Sequence, residues 1–390
     1  MSERQMRRAR ERQVKREHRD GQRLGSRSKL ALGAGAALGA SAVLAPAAQA
    51  DTFQVTSTED ELDPGPTAVE CDDDCTLREA LYEANDDSDG PDTITFAANV
   101  TGTITVDAGY DQFYIQEGVT IQGPGANVLA ISGGDDRRVF YVNTDEEGEP
   151  HESVTISGLT LTQGFTPFYG GALYSYDSAL TLADVVVDDN YAGIDGGGVW
   201  SSDGRLTITN SLFTGNVVEN YDGGALALED TEDSDADDVE VLISGSVFSG
   251  NSAGDGDGDG GALYLSSADG DVVIENTTVA GNRADDDGGG LWLRGSSSGD
   301  LTIRGSTISN NESYENDAGG AYISDIDGDI LIENSTVSGN SAAYDGGGIY
   351  FDYLDEDSTT TIRNSTIVNN VAGVDPGDYG DYGGGGVYLY

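Results

Sequence analysis

The sequence predicts an all-β fold, a right-handed parallel β-helix with a short helix covering its N-terminal end. Three observations support this prediction. Short apolar strands recur at steps of 26 to 38 residues until the end of the chain. Glycine, asparagine or aspartate stands at fixed places between these strands, and one asparagine position returns in seven of eight copies. A unit of this length cannot bury its own apolar face, so the copies are expected to stack around a continuous core.

The first fifty residues predict an export signal rather than a folded segment. A basic stretch comes before an apolar stretch from Leu30 to Leu44, and Ala48-Gln49-Ala50 follows as a cleavage site. This order is typical of the general secretory route, so we expect an extracellular or cell-surface protein with no membrane-spanning segment after cleavage. The alternative is an uncleaved anchor, although the apolar stretch is near the lower spanning length.

Residues 51–390 are strongly acidic, with eight arginines and no lysine against 66 aspartates and glutamates. A surface of this sign repels phosphates and anionic lipids, so nucleic acids and anionic membranes are poor partners. It suits divalent cations or a salty environment, and solubility alone is the simplest explanation of the charge.

Residues 51–92 are interpreted as an N-terminal cap and residues 93–390 as the β-helix. Because an exported chain is oxidised, Cys71 and Cys75 predict a disulfide, with a two-thiol metal site as the alternative. Thr76-Leu77-Arg78-Glu79 is a capping-box sequence that predicts a helix start. The chain stops inside a strand, so we expect that its C-terminus is truncated.

Each copy of the repeat has the same internal order. Two apolar residues two positions apart, such as Leu301 and Ile303, form the buried face of the first strand. Two positions later comes a residue that tolerates left-handed backbone and so marks a corner. The corner residues are Gly158, Asp184, Asn210, Gly245, Asn276, Gly305, Asn334 and Asn364. The recurring asparagines, six positions after the corner, are Asn190, Asn216, Asn251, Asn282, Asn311, Asn340 and Asn370. We expect their amides to bond from coil to coil.

The third strand follows a Gly-Gly-small sequence and predicts an outward row of aromatic rings. The rings are Tyr174, Trp200, Tyr264, Trp292, Tyr350 and Tyr388, and Ala227 and Ile323 fill the other two positions. Coils stack about 4.8 Å apart, so these rings would form a ladder. A ladder with open flanks would receive the apolar faces of sugars. The alternative is that the rings stack on one another and only stabilise the sheet.

Two parts of the chain resemble known families. Cys75-Thr-Leu-Arg-Glu-Ala80, followed by Ala84-Asn85 and Asp92-Thr-Ile-Thr-Phe96, resembles the CSLREA domain of bacterial surface β-helix proteins, with Thr76 in place of the usual serine. The Gly-Gly-Ala-Leu-Tyr and Phe213-Thr-Gly-Asn216 elements are similar to repeats of chlamydial polymorphic outer membrane proteins, although valine or isoleucine replaces the phenylalanine in most copies. Together these resemblances imply a pectin-lyase-like right-handed β-helix with an adhesin-like role at the cell surface.

Candidate catalytic residues are few. A hydrolase of this fold needs two or three carboxylates in one groove, and Asp188, Asp189 and Asp195 are the best local group. The high acid content makes chance pairs common, and a lyase would need a cationic base although residues 51–390 contain no lysine. We therefore expect a non-catalytic scaffold. The alternative is a polysaccharide-active enzyme, either a lyase or a glycoside hydrolase.

Calcium is the one cofactor that the sequence indicates. Two loops carry acids at alternate positions, as a hard cation prefers, and these acids are Asp255, Asp257 and Asp259 in one loop and Asp325, Asp327 and Asp329 in the other. Neither loop has the glutamate that usually closes such a site, so flexible solvated loops are the alternative. The predicted function is an adhesin-like surface scaffold that contacts extracellular glycans or other components of the cell envelope.

Overall fold

The computed structural model describes residues 50–62, 71, 73–86, 91–144, 151–230, 239–254, 256–268, 270–295, 299–355, 358–373 and 383–390. The predicted signal peptide lies outside the described residues apart from Ala50. Within the described part, the strands form four sheets, and each strand pairs in parallel with the equivalent strand of the next coil. The chain thus winds as a right-handed parallel β-helix, and the predicted fold class is confirmed.

Each coil begins with a strand of the first sheet and continues with a strand of the second sheet. The first sheet contains Thr52–Val55, Asp92–Phe96, Val119–Gln122, Glu152–Ser157, Ser178–Ala183, Leu206–Thr209, Val239–Ser244, Asp271–Glu275, Leu301–Arg304, Ile330–Glu333 and Thr360–Arg363. The second sheet contains Gly102–Thr105, Leu129–Ser132, Thr160–Thr162, Val186–Asp188, Leu212–Thr214, Val247–Ser249, Thr278–Ala280, Thr307–Ser309, Thr336–Ser338 and Thr366–Val368.

The rest of each coil crosses a short sheet and then the third sheet. The short sheet contains Phe165–Thr166, Tyr191–Ala192, Val217–Val218, Ser252–Ala253, Arg283–Ala284, Glu312–Ser313 and Ser341–Ala342. The third sheet contains Phe113–Ile115, Phe140–Asn143, Leu173–Tyr176, Val199–Ser202, Leu226–Glu229, Leu263–Ala268, Leu291–Gly295, Ala321–Ser324, Ile349–Asp352 and Val387–Leu389. The three strands predicted for each coil are therefore present, and the two-residue strand after the asparagine is an addition.

The corner between the first and second sheets has the predicted backbone. All eight predicted corner residues have positive φ, from 50° at Asn210 to 62° at Gly245. Only residues that tolerate this conformation recur there because the chain must turn within two residues. The position of the corner was thus readable from residue type.

Polar side chains inside the coil bond from one coil to the next. The amide of Asn216 donates to Oδ1 of Asn251 at 3.0 Å and to the backbone carbonyl of Val187 at 2.9 Å. The same pattern links the other predicted asparagines, so the asparagine ladder is confirmed. A second row, which we did not predict, lies just after the corner, where the backbone N–H of Ser211 donates to the hydroxyl of Ser246. Both rows satisfy buried backbone groups that would otherwise be costly.

The N-terminal end is covered by the helix Leu77–Ala84. Thr76 and Glu79 exchange both bonds of the capping box, as predicted. Cys71 and Cys75 form the predicted disulfide. The strand Thr52–Val55 already pairs with Asp92–Phe96 in the first sheet. The β-helix therefore begins within the segment that we interpreted as a separate cap, because the helix is an excursion between two paired strands.

Candidate functional site

The outer face of the third sheet carries the predicted row of rings, with one change of register. Strand pairing aligns Tyr264 with Trp292, Trp292 with Tyr322, and Tyr322 with Tyr350. The prediction that Ile323 faces outward was wrong, because its side chain is fully buried in the core. Tyr322 takes its place in the row.

The displaced register has a local cause. In the other repeat coils a glycine such as Gly288 or Gly346 adopts positive φ directly before the third strand. In this coil Ala318 adopts φ of 59° at the same place. The prediction counted from the double glycine at 319–320. It therefore placed the outward-facing residue of this strand one position too late, at Ile323 instead of Tyr322. An alanine in this conformation is strained, and nothing in residue type predicts it.

The rings stack along the axis of the β-helix. Centroid distances are 4.8 Å for Tyr141–Tyr174, 4.6 Å for Tyr174–Trp200, 4.4 Å for Tyr264–Trp292, 6.1 Å for Trp292–Tyr322, 5.1 Å for Tyr322–Tyr350 and 5.0 Å for Tyr350–Tyr388. The planes of these neighbours differ by 23° or less. The rings therefore stack on one another, which was the alternative to a platform that receives sugars.

Burial decides how much of the row a ligand can reach. Tyr174 and Trp200 are 0% and 1% exposed. They are covered by a second layer that includes Phe168, Tyr169 and Ile194. The open flanks predicted for these two rings are therefore wrong. Trp292 and Tyr350 are also buried, while Tyr264, Tyr322 and Tyr388 are half-buried.

Sequence reasoning missed a row of aspartates that runs beside the rings. In this row, the backbone N–H of each aspartate donates to the Oδ1 atom of the equivalent aspartate in the preceding coil, at 2.7 to 3.0 Å. The members are Asp195, Asp222, Asp259, Asp287, Asp317 and Asp345. The signal was present in the sequence, because an aspartate directly precedes the turn residue in six consecutive copies. We call this set the aspartate row.

Stacking carboxylates in a partly dry environment changes their acidity. Burial and the neighbouring Asp286 raise the pKa of Asp287 to about 8. Burial and the charge of Asp345 raise the pKa of Asp317 to about 6. The pKa of Asp259 is raised well above its usual value, first by burial and then by Asp222. These raised pKa values mean that burial and mutual repulsion favour the protonated form of these carboxyl groups.

Two members of the aspartate row lie beside Asp286 and form with it a group that could hold a cation. Asp259, Asp286 and Asp287 each offer a carboxylate oxygen, and these oxygens lie within 4.8 Å of one another. Oxygen ligands of this kind suit calcium. Of the first predicted calcium loop, Asp259 belongs to this group, whereas Asp257 is exposed and outside it. Asp255 lies outside the described residues.

The second predicted calcium loop forms no such group among the described residues. Asp325 Oδ2 is paired with Arg294 Nε at 2.9 Å, and Asp327 points to solvent. Asp329 Oδ1 accepts a bond from the backbone N–H of Thr359 at 2.8 Å, while its own N–H donates to Asp300. The structure therefore does not bring these three carboxylates together, and two of them take part in an ion pair and in coil-to-coil bonds.

The candidate catalytic acids lie at two separate places on the coil, the end of a strand of the second sheet and the aspartate row. Asp188 ends the strand Val186–Asp188, and burial followed by the charge of Asp189 raises its pKa. Asp189 is an exposed turn residue with φ of 51°. Asp195 is fully buried in the aspartate row, where its Oδ1 atom accepts the N–H of Asp222. The structure therefore supports a local pair but not the three-carboxylate groove.

The stacked parallel sheets and their coil-to-coil ladders define a β-helix protein. The chain belongs to the family described as right handed beta helix region, which its residues 141–390 match. No curated protein sequence matched the chain. Within the described residues, no helix is long and apolar enough to cross a membrane.

Solved structures with a similar fold include two modules from Azotobacter vinelandii. The mannuronan C-5 epimerase AlgE4 A-module is 15% identical, with a TM-score of 0.33, over 75% of this chain and 93% of the module. The AlgE6 A-module is 13% identical, with a TM-score of 0.31, over 80% of this chain and 94% of the module. Likeness at this level concerns the fold alone.

Proposed function

We propose that this protein is an exported, non-catalytic scaffold of the cell surface or extracellular matrix, which contacts glycans or other envelope components. The export signal predicted in residues 1–50 and the resemblance of Cys75–Ala80 to the CSLREA domain support the location. The strong negative charge of residues 51–390 supports a role away from nucleic acids and anionic membranes.

The observation that carries this proposal is how the repeat uses its polar side chains. The asparagine, serine and aspartate rows each bond to their own equivalents in the neighbouring coil, as Asn282 does with Asn311 and Asp287 with Asp259. Such bonds lengthen and stiffen a rod. They occupy the groups that a repeat enzyme would need to gather around a reacting atom.

The experiment that tests this proposal uses cells that express the full chain. We expect added protease to degrade the protein on intact cells, and a variant lacking residues 2–49 to be protected. Purified protein should release no reducing ends or unsaturated products from a panel of neutral and acidic polysaccharides. Protection of the full chain on intact cells would contradict the location, and turnover of any polysaccharide would contradict the non-catalytic role.

Calcium binding by Asp259, Asp286 and Asp287 is part of the proposal. A divalent cation would relieve the repulsion between three carboxylates whose oxygens lie within 4.8 Å. In calorimetric titration with calcium, Asp286→Asn should weaken binding about tenfold, since one of three charged ligands is lost. Asp300→Asn is the matched control, because Asp300 is exposed and its carboxylate accepts the backbone N–H of Asp329 outside this group of three acids. Equal loss in both variants would mean that only general charge attracts the ion.

A polysaccharide-active enzyme is the second candidate, and Asp188 is the observation that favours it. Its pKa is raised by burial and by Asp189, as a general acid requires. If this function is correct, the panel of polysaccharides will include one that is cleaved, and Asp188→Asn will abolish the cleavage. An unchanged rate in Asp188→Asn would assign any cleavage to other residues.

A further inference from the structure

A pocket lies where two rows of rings begin at the N-terminal end of the β-helix. One row is the ring row of the third sheet, whose first member is Tyr114. The other is a pair on the short sheet, in which Phe165 stacks on Tyr191 at 5.3 Å with planes 7° apart. The cavity between the two beginnings measures about 280 Å³. We call it the N-terminal pocket.

The rings at this pocket are partly exposed, unlike Tyr174 and Trp200, which the second layer covers. Phe165–Thr166 is the first strand of the short sheet among the described strands, and the ring of Phe165 stacks on Tyr191 in the next coil. Its backbone N–H donates to the carbonyl of Arg137 in the preceding coil, so no described ring lies below it in this sheet. Phe165 is 37% exposed. Tyr114 is tilted by 57° from Tyr141 instead of stacking flat on it, and both Phe165 and Tyr114 line the cavity.

Polar groups of both signs surround these rings. At the rim, Arg137 Nη1 contacts Asp136 Oδ2 at 2.7 Å, and the Tyr114 hydroxyl donates to Asp111 Oδ2 at 3.2 Å. Deeper in the pocket, Arg138 is buried and donates to the side-chain oxygen of Gln112 at 2.9 Å. Two arginines and two aspartates thus line one small cavity in a chain that is otherwise dominated by acids.

We infer that the N-terminal pocket is a binding subsite for a neutral saccharide. A sugar ring presents an apolar face, which fits the exposed part of the Phe165 ring, and hydroxyl groups, which both donate and accept hydrogen bonds. The charges of the two arginines and two aspartates balance, so an anionic sugar gains no net attraction there and meets the acidic surroundings. The inference rests on the proposed contact with glycans and names the site and the sugar class.

The size of the cavity limits the ligand to a short segment. Ligand pockets usually measure about 300–1,000 Å³, and this cavity lies just below that range. We therefore expect recognition of one or two sugar units, such as the end of a glycan chain, rather than of a long polymer lying in a groove.

The test measures binding of the full chain by calorimetric titration. The probes are short neutral oligosaccharides of glucose, mannose or xylose, with oligogalacturonate as the anionic comparison. We expect at least one neutral probe to bind about tenfold more tightly than oligogalacturonate, and Phe165→Ala to weaken that binding about tenfold, because the ring's apolar contact is lost. Arg137→Met should weaken binding several-fold without disturbing the fold, because its side chain is at the surface.

Tyr314→Ala is the matched control, since Tyr314 is 55% exposed and lies under the guanidinium of Arg283 at 4.5 Å, but does not line this pocket. Its binding should equal that of the unmodified protein. Tighter binding of oligogalacturonate, equal losses in Phe165→Ala and Tyr314→Ala, or unchanged binding in both pocket variants would overturn the inference. Absence of binding by every neutral probe would also overturn it. The protease experiment on intact cells does not depend on this pocket. The location of the scaffold can therefore be confirmed or contradicted independently of these binding results.

Discussion

The start of the ring row differs from the rest of the row in the residue that stands beside the rings. Just before the positive-φ residue that leads into the third strand, the first repeat coil has Tyr169, and the next six coils have an aspartate. Tyr169 is fully buried and packs against Trp200 at 5.2 Å. At the same place in later coils, Asp287 and Asp317 lie near Tyr322 and Tyr350 and raise the pKa of these tyrosines, after the larger effect of burial.

One backbone position therefore produces two kinds of surface. Where it is tyrosine, an apolar layer closes over the rings and water is excluded. Where it is aspartate, the carboxylates stack on one another, and burial together with mutual repulsion raises the pKa of members such as Asp287 and Asp317. The β-helix keeps the same coil geometry in both regions because the asparagine row passes through both.

The largest expected effect is on the covered half of the row. Trp200→Ala should lower the free energy of unfolding by about 4 kcal/mol, because a buried ring stacked on Tyr174 is removed. Tyr322→Ala, in the half-buried region, should cost roughly 2 kcal/mol. Chemical denaturation measures both. Equal losses would mean that burial does not distinguish the two halves.

The asparagine row should show no such difference. Asn216→Ala and Asn311→Ala each remove four side-chain hydrogen bonds, two donated by the amide nitrogen and two accepted by the amide oxygen, and leave buried backbone groups without partners. Each should therefore cost about 3 kcal/mol. Chemical denaturation of the two variants, with equal m-values, gives the comparison. A much smaller loss at Asn311 than at Asn216 would show that the coils beside Asp287 and Asp317 are already loosened.

The smallest effect is the dependence of stability on pH, measured in cation-free buffer. The folded pKa values of Asp287 and Asp317 are raised, to about 8 and about 6, so the folded state binds more protons than the unfolded state above the ordinary pKa of aspartate. Stability should therefore be highest near the ordinary pKa and fall as the pH rises through 6 and 8.

A variant isolates the aspartate row in this measurement. Asp287→Asn should flatten the fall and stabilise the protein at pH 8 by about 1 kcal/mol. Asp300→Asn should leave the pH dependence unchanged. A protein that becomes more stable between pH 5 and pH 8 without cations would contradict the interpretation of the row.

Several features were predictable because they depend on local residue types. The corners are occupied by glycine, asparagine or aspartate, as Asn210 and Gly245 illustrate, since few other residues accept positive φ. The capping box of Thr76 and Glu79 was readable for the same reason. Ala318 escaped prediction because pairing with neighbouring coils holds it in a conformation that alanine does not favour by itself.

The candidate sites were less predictable because they depend on contacts between coils. Asp259 was predicted as a calcium ligand, and the two acids that the structure places beside it, Asp286 and Asp287, come from the next coil. Asp329 was predicted to meet Asp325 and Asp327, but its carboxylate accepts the backbone N–H of Thr359 instead. The aspartate row was visible as a repeated letter, and only the stacking of coils gave it a physical meaning.

The sequence by itself determined the coil, because strand periodicity, corners and the asparagine row follow from preferences within a few residues and from their repetition. Only the tertiary structure decided which outward side chains a ligand can reach and which acids meet. Those outcomes depend on how each turn lies over the adjacent sheet. That placement covers Trp200 with Tyr169 and leaves Phe165 partly exposed.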